Sequence, residues 1–322
     1  MSWIREKELS LVERLCANVL KAGPIPKHVA FIMDGNRRYA HKCHVERQEG
    51  HSQGFEKLAE TLRWCLNLGI REVTVYAFST ENFKRSEEEV EGLMELARQK
   101  FSRLLEEKDK LAKHGVCIRV LGDLTLLPMD LQKLIAQAVM ETRNYSECFL
   151  NVCFAYTSRH EISNAVQEVA WGVQEGLLEP RDVTESLLDQ CLYTAKSPDP
   201  DLLIRTSGET SYSCLVFQSV LWPEYTFWNL CEAILRYQFN YSSIQKAREL
   251  HLQERTRLQH ESDHLWVQEN LWNGGHCSRE DDTPLSKNLL QHFKAEREER
   301  TRNFVQALEK RRTDFLLELC AA

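Results

Sequence analysis

The residues best suited to chemistry lie where short apolar runs give way to polar turns. The run 29–33 is followed by Asp34-Gly35-Asn36-Arg37-Arg38, which opens a helical segment. Glycine lets the backbone turn tightly and come close to a ligand, and a helix start presents unpaired amides to an anion. Arg37 and Arg38 add charge-assisted, bidentate contacts to phosphate oxygens. Asp34 would repel a bare phosphate, so its place among these cations suggests a metal between the two. Mg²⁺ suits it, because that ion takes one or two carboxylates and completes its shell with water and phosphate oxygens. A second run, 73–78, leads into the polar turn Ser79 to Ser86 with Arg85, and a third, 202–204, leads into Arg205-Thr206-Ser207-Gly208. An isolated exposed arginine is ordinarily a solvated charge. The delivery of Asp34, Arg37, Arg38, Arg85 and Arg205 to one rim is what points to a phosphate-bearing ligand. By itself, His51 in His51-Ser52-Gln53-Gly54 reads as a packed histidine, and Glu87-Glu88-Glu89 as favourable charge at a helix N-terminus with no catalytic part.

These residues need a scaffold that brings several run ends together. Short apolar runs rich in β-branched and aromatic residues occur at 29–33, 73–78, 116–121, 149–154, 202–205 and 215–217, with helical patterns between the earlier ones, as at 86–114 and 128–144. Such alternation predicts an α/β fold whose parallel sheet is covered on both faces, with right-handed crossovers and ligands beyond the carboxyl ends of the strands. Ahead of it, Trp3, Ile4, Leu11, Val12, Leu15, Cys16, Val19 and Leu20 fall mainly on one helical face, which docks on the core or meets a membrane or partner. Gly23-Pro24-Ile25-Pro26 ends that helix. After residue 240 the chain turns polar, with sparse Leu289, Leu290, Phe304, Leu308, Phe315 and Leu316. This predicts a helical extension too polar to hold a core alone: a solvated helix or partial disorder, or a helical hairpin for self-association with a loop at 273–284. The expected division is 1–24, 25–240 and 241–322.

Bulk properties narrow the partners. With 322 residues, 43% hydrophobic residues and a net charge of -7, the chain has no whole-protein attraction for nucleic acid or acidic lipid. Its 11 cysteines are an odd number without a Cys-x-x-Cys spacing, which favours reduced, buried thiols. The start Met1-Ser2-Trp3-Ile4-Arg5 has no secretory-signal core, and no window reaches the roughly 20 apolar residues of a membrane span. The expectation is a chain neither secreted nor integral to a membrane.

Five ordered motifs, Ile32 to Arg38, His51 to Gly54, Tyr76 to Phe83, Asp201 to Glu209 and Leu221 to Trp228, resemble the cis-prenyltransferase (undecaprenyl diphosphate synthase) family, and within it the animal branch that serves dolichol. The resemblance implies a six-stranded, mostly parallel sheet with flanking helices, a C-terminal helical extension and an apolar tunnel. It implies repeated addition of isopentenyl diphosphate to farnesyl diphosphate, giving long-chain polyprenyl (dehydrodolichyl) diphosphate for dolichol and protein glycosylation. By this likeness Asp34 holds Mg²⁺ and assists departure of the allylic diphosphate, which Gly35, Arg37 and Arg38 cradle. Arg85 helps to hold a substrate diphosphate and Arg205 binds that of isopentenyl diphosphate, while Asn36, His51 and Asn82 match positions tied to orientation or proton loss. Leu93, Leu96, Phe101, Leu104 and Leu105 either line the tunnel or fill ordinary core. The resemblance also implies a membrane-bound partner subunit, the Nogo-B receptor, and peripheral residence on the cytosolic face of the endoplasmic reticulum.

One segment departs from the pattern. After Glu209 the family continues with an Arg-x-Ser motif and a Phe-Leu-Leu-Trp-Gln run, whereas this chain passes to Thr210 and on to Gln218, with no arginine between Arg205 and Arg236. Losing such a charge-assisted clamp costs about 2–4 kcal/mol. A link confined to 206–214 is also shorter than the dozen or so residues a parallel crossover generally needs, so the last strand is expected to distort or detach. The alternative reading is therefore a catalytically impaired binding or regulatory subunit. An unrelated nucleotide-binding protein has no support, since neither Gly-x-x-x-x-Gly-Lys nor Gly-x-Gly-x-x-Gly occurs.

Overall fold

The apolar runs become six strands: β1 (His28–Ile32), β2 (Glu72–Ser79), β3 (Val116–Leu121), β4 (Cys148–Tyr156), β5 (Leu202–Arg205) and β6 (Leu215–Phe217). A computed structural model describes residues 9–208, 215–273 and 284–321 of the chain. The strands form one sheet in the order β3-β4-β2-β1-β5-β6, and every pairing is parallel. Consecutive residues of β1 (His28 to Phe31) and of β4 (Leu150 to Ala155) are buried, as a sheet covered on both faces requires.

Helix α1 (Leu11–Lys21) precedes the sheet, and helices fill the crossovers: α2 (Asn36–Cys43), α3 (Arg47–Leu68), α4 (Glu87–Glu106), α5 (Lys108–His114), α6 (Met129–Thr142) and α7 (Ser158–Gln174). The single helix expected over 86–114 is broken at Glu107, so two helices take its place. Ser10 and Glu13 close a capping box that starts α1. The apolar residues of α1 divide between two faces. Ala17 and Leu20 are buried, whereas Leu11, Val12, Leu15 and Val19 are exposed; Trp3 and Ile4 lie outside the described residues.

The expected detachment of the last strand is not observed. β6 pairs with β5 in the register Leu203↔Leu215, Ile204↔Val216 and Arg205↔Phe217. The pairing spans only three residues, and the chain reverses at once after β5 because Ser207 and Gly208 both take positive φ. Their amides donate to the carbonyls of Val220 and Gln218, which holds both ends of the link. Residues 209–214, next to the expected departure from the family pattern, lie outside the described residues.

The chain divides into two compact units, Met1–Glu161 with Lys196–Asn240 and Asp314–Ala322, and Ile162–Ala195 with Tyr241–Thr313. The first carries the sheet. The second joins the later part of α7 and α8 (Glu185–Cys191) to parts of α9 (Phe227–Asn273) and α10 (Pro284–Ala321). Its small core contains Val169, Leu178, Leu187, Phe304 and Leu308. Partly buried ion pairs supplement that core: Arg300 donates through Nε and Nη2 to Asp182 at 2.8 and 2.9 Å, and Arg312 meets Glu168 at 2.5 Å. Of the sparse apolar tail residues, Phe304 and Leu308 share a core with α7 and α8, whereas Phe315 is exposed; residues 274–283, within the expected loop, lie outside the described residues.

The described cysteines are all free, and burial pushes the Cys153 thiol up to about 12, so it stays protonated. No described helix is long and apolar enough to cross a membrane.

Candidate active site

Three neighbouring strands bring the rim residues together. β2, β1 and β5 are adjacent, and Ile32 of β1 stands between Tyr76 and Arg205 in register. The backbone at Asp34 is locked from β5: the Thr206 hydroxyl donates to the Asp34 carbonyl at 2.7 Å and accepts from the Asp34 amide at 3.1 Å. The Trp222 amide donates to the same carbonyl at 3.0 Å. Gly35 then turns the chain into α2 with φ 107°, and a Cβ there would stand 2.4 Å from Ser207 Oγ, so only glycine fits.

Asp34, Gly35, Asn36, Arg37, Arg38, His51, Asn82, Arg85 and Arg205 all line one cavity of about 850 Å³. Asp34 Oδ2 sits 3.3 Å from Arg205 Nη2 and 3.5 Å from Arg38 Nη2, so the carboxylate holds two of the guanidinium groups. Asn82 Oδ1 accepts from the Ser79 amide at 2.9 Å and so caps the turn Thr80–Lys84 that presents Arg85. Asn36 Oδ1 and His51 Nε2 are buried without a hydrogen-bond partner. Burial and the nearby Arg85 guanidinium depress the His51 pKa below its ordinary value of 6.5, against the opposing pull of Glu89. His51 is therefore neutral at neutral pH.

Two residues without an expected role belong to the same surroundings. Arg47, one turn before His51 on α3, lines the cavity. Glu89 lies behind it, its side chain only 6% exposed, with Oε1 2.8 Å from Arg85 Nη1 and Oε2 3.3 Å from Arg47 Nη1. Its four-residue spacing from Arg85 was the available signal. Three consecutive glutamates concealed it, because nothing in their order says which one faces inward.

The polar cavity adjoins an apolar one of about 100 Å³. Met33, Asn36, His51, Ala77 and Leu93 line both. Phe55, Leu58, Val75, Leu96, Phe101 and Val152 continue the apolar wall. A second apolar cavity, of about 40 Å³, takes Leu62, Leu104, Val73 and Leu150 from the same helices and strands, two to four residues away. Of the residues expected in a tunnel, Leu93, Leu96, Phe101 and Leu104 line these cavities, while Leu105 packs against the core and lines neither.

α2 and α3 meet through Gly54, where a Cβ would stand 2.4 Å from Asn36 Oδ1. Trp222, fully buried, donates its Nε1–H to the Gly54 carbonyl at 2.7 Å. The motif glycine and the motif tryptophan thus seat Asn36 where the polar and apolar cavities meet.

No cluster of three or more metal-ligating side chains occurs among the described residues, so the carboxylate facing this cavity is that of Asp34. One carboxylate in an open, arginine-lined cavity fits an ion that takes its remaining oxygens from a ligand and from water.

Comparison with known proteins agrees with the architecture. A family model described as "Putative undecaprenyl diphosphate synthase" matches residues 32–244. The human dehydrodolichyl diphosphate synthase complex subunit DHDDS is 68% identical over 332 aligned positions, covering 100% of this chain and 99% of that protein. Since this chain has 322 residues, at least ten of those 332 positions have no counterpart in it. A dehydrodolichyl diphosphate synthase complex subunit of Schizosaccharomyces pombe is 39% identical, covering 71% of this chain and 91% of that protein. Among solved structures, lavandulyl diphosphate synthase from Lavandula x intermedia in complex with dimethylallyl diphosphate matches with a TM-score of 0.61 and 31% identity, over 66% of this chain and 95% of that one. Strand order, rim residues and these likenesses agree, and the chain belongs to the cis-prenyltransferase family.

Proposed function

We propose that this chain is the prenyl-transferring subunit that adds isopentenyl diphosphate repeatedly to farnesyl diphosphate, giving long-chain polyprenyl (dehydrodolichyl) diphosphate for dolichol and protein glycosylation. The observation that carries this reading is the junction at Met33, Asn36, His51, Ala77 and Leu93, where an arginine-lined polar cavity meets an apolar one. An allylic diphosphate has the same two-part chemistry, an anionic head and an apolar chain.

In this reading Gly35, Arg37, Arg38, Arg47 and Arg85 receive the allylic diphosphate, and Arg205 receives that of isopentenyl diphosphate. Breaking the allylic carbon–oxygen bond leaves the electron pair on the diphosphate, and preformed donors stabilise that growing charge without reorganising. Asp34 would hold Mg²⁺, which when bound supplies further positive charge to the leaving diphosphate. The isopentenyl double bond attacks the allylic carbon, forming the new carbon–carbon bond. Loss of a proton then restores a double bond, in the cis geometry. Neutral His51 and Asn36, at the junction, orient the reacting carbon and assist that proton loss, while the apolar cavities keep water from the cation. The chemistry is assigned to residues 25–240, with 1–24 and 241–322 as helical appendages.

The human and fission-yeast relatives are called complex subunits. We extend this to a Nogo-B-receptor-like membrane partner and to peripheral residence on the cytosolic face of the endoplasmic reticulum. The exposed apolar face of α1 supports attachment without a span.

A second reading is favoured by the alignment positions without counterpart and by the lack of an arginine between Arg205 and Arg236. A chain that keeps the first diphosphate site and its fold but lacks the clamp for the second would act by binding or regulation. Incorporation of labelled isopentenyl diphosphate in the presence of farnesyl diphosphate, Mg²⁺ and the partner separates the two. Asp34→Ala, expected to lose about a hundredfold or more in rate, serves as the blank. Turnover of the native chain well above that blank supports the synthase. Turnover only after an Arg-x-Ser segment is restored supports the binding subunit.

A further inference from the structure

Glu89 is the third of three consecutive glutamates in the first turn of α4. Glu87 and Glu88 are exposed, whereas the Glu89 side chain is 6% exposed and meets cations from three other elements. Oε1 lies 2.8 Å from Arg85 Nη1, 3.7 Å from His51 Nε2 and 4.0 Å from Arg37 Nε. Oε2 lies 3.3 Å from Arg47 Nη1. Arg85 is not part of α4: it ends the turn after β2 in extended conformation, so the contact joins that turn to the helix. Arg47 is the first residue of α3, and Arg37 stands in the first turn of α2.

Glu89 does not line the polar cavity. It borders a neighbouring cavity of about 330 Å³, which shares Arg47, His51 and Leu93 with the polar one. The carboxylate therefore stands behind the wall of the site. Three guanidinium groups outnumber it, so the wall keeps its attraction for an anion. A long arginine side chain that must be ordered at the moment of binding spends affinity on that ordering; one already held by a buried partner does not.

We infer that Glu89 is the positioning residue of the allylic diphosphate site, fixing Arg85 and Arg47 so that their guanidinium groups are ordered before the diphosphate arrives. This rests on the diphosphate-binding reading above. It sets two opposite effects of a carboxylate near an anion site against each other. Ordering of the arginines favours binding, whereas the negative charge opposes it. Burial behind the wall makes ordering the larger effect.

The test is calorimetric titration of the full-length chain with farnesyl thiolodiphosphate, which keeps the diphosphate head but resists ionisation. Native protein is compared with Glu89→Gln, Glu89→Asp, Arg85→Ala and the Glu89→Gln, Arg85→Ala double variant. Glu89→Gln keeps volume and removes charge, and is expected to weaken binding about tenfold, with Glu89→Asp recovering part of the loss. In the Arg85→Ala background the same change costs clearly less, as a purely structural role would not predict. Inorganic diphosphate shows the same ratio of affinities, because Glu89 acts on the head and not on the chain. Equal or tighter binding by Glu89→Gln, or an undiminished effect without Arg85, overturns the assignment. If Glu89→Gln fails to fold, Glu89→Asp read against Arg85→Ala decides on the same terms. Failure of the native chain to bind either probe overturns the diphosphate reading itself, and the role of Glu89 with it.

Discussion

His51 shows how one residue takes its behaviour from its neighbours. A histidine on a helix is ordinarily ready to protonate near pH 6.5, but burial and the Arg85 guanidinium lower this value. The unfolded chain then binds a proton at this residue before the folded chain does. The stability linked to His51 is accordingly complete above pH 6.5 and is lost as pH falls from there through the folded-state value. Thermal melts of native protein and His51→Gln between pH 8 and 5 check this, with the acid loss smaller in the variant. An equal loss in both would place the acid sensitivity elsewhere. Asp34 and Glu89 are further cases at this scale. Both are carboxylates among arginines, but Asp34 opens into the cavity and Glu89 is closed off behind it. Their sequence settings differ in a way that made one readable and the other not: Asp34 comes after a strand and precedes a glycine, whereas Glu89 sits in a run of identical residues.

At the level of elements, the site depends on close approach. α3 reaches α2 because positions 50 and 54 have no side chain. Gly54→Ala is expected to displace Asn36, reducing turnover at least tenfold and costing about 1–3 kcal/mol of stability, as overpacking does. Paired rate and urea-unfolding measurements check both halves. In the second unit, Asp182 has a fully buried side chain and takes both prongs of Arg300. Arg300→Met strands that carboxylate and is expected to destabilise the unit by about 3–5 kcal/mol, seen as an earlier urea transition. The rim was legible because strand ends are local: each apolar run points to the polar turn at its carboxyl end, and β2, β1 and β5 are neighbours in the sheet. The break at Glu107 and the two faces of α1 were not legible, since both depend on the residues packed opposite. The pairing of β6 contradicted a length rule because the strand overlap is only three residues and Ser207 and Gly208 turn the chain tightly.

For the whole molecule, a polar cavity meets an apolar one through the shared wall at Asn36 and His51. The tail illustrates how much composition leaves open at this scale. Its scattered Phe304 and Leu308 suffice for a core only because α7 and α8 supply the rest. The joining of the cavities is tested most directly by the affinities of inorganic, dimethylallyl and farnesyl diphosphate for the full-length chain under one set of conditions. Each added isoprenoid unit buries more apolar surface, at about 25 cal/mol per Å². Stepwise tightening is expected from inorganic to dimethylallyl to farnesyl diphosphate, with a Phe101→Asp variant losing the farnesyl advantage but not the affinity for inorganic diphosphate. Equal affinity for all three would contradict the joined cavities, leaving a phosphate site with no part for the apolar spaces.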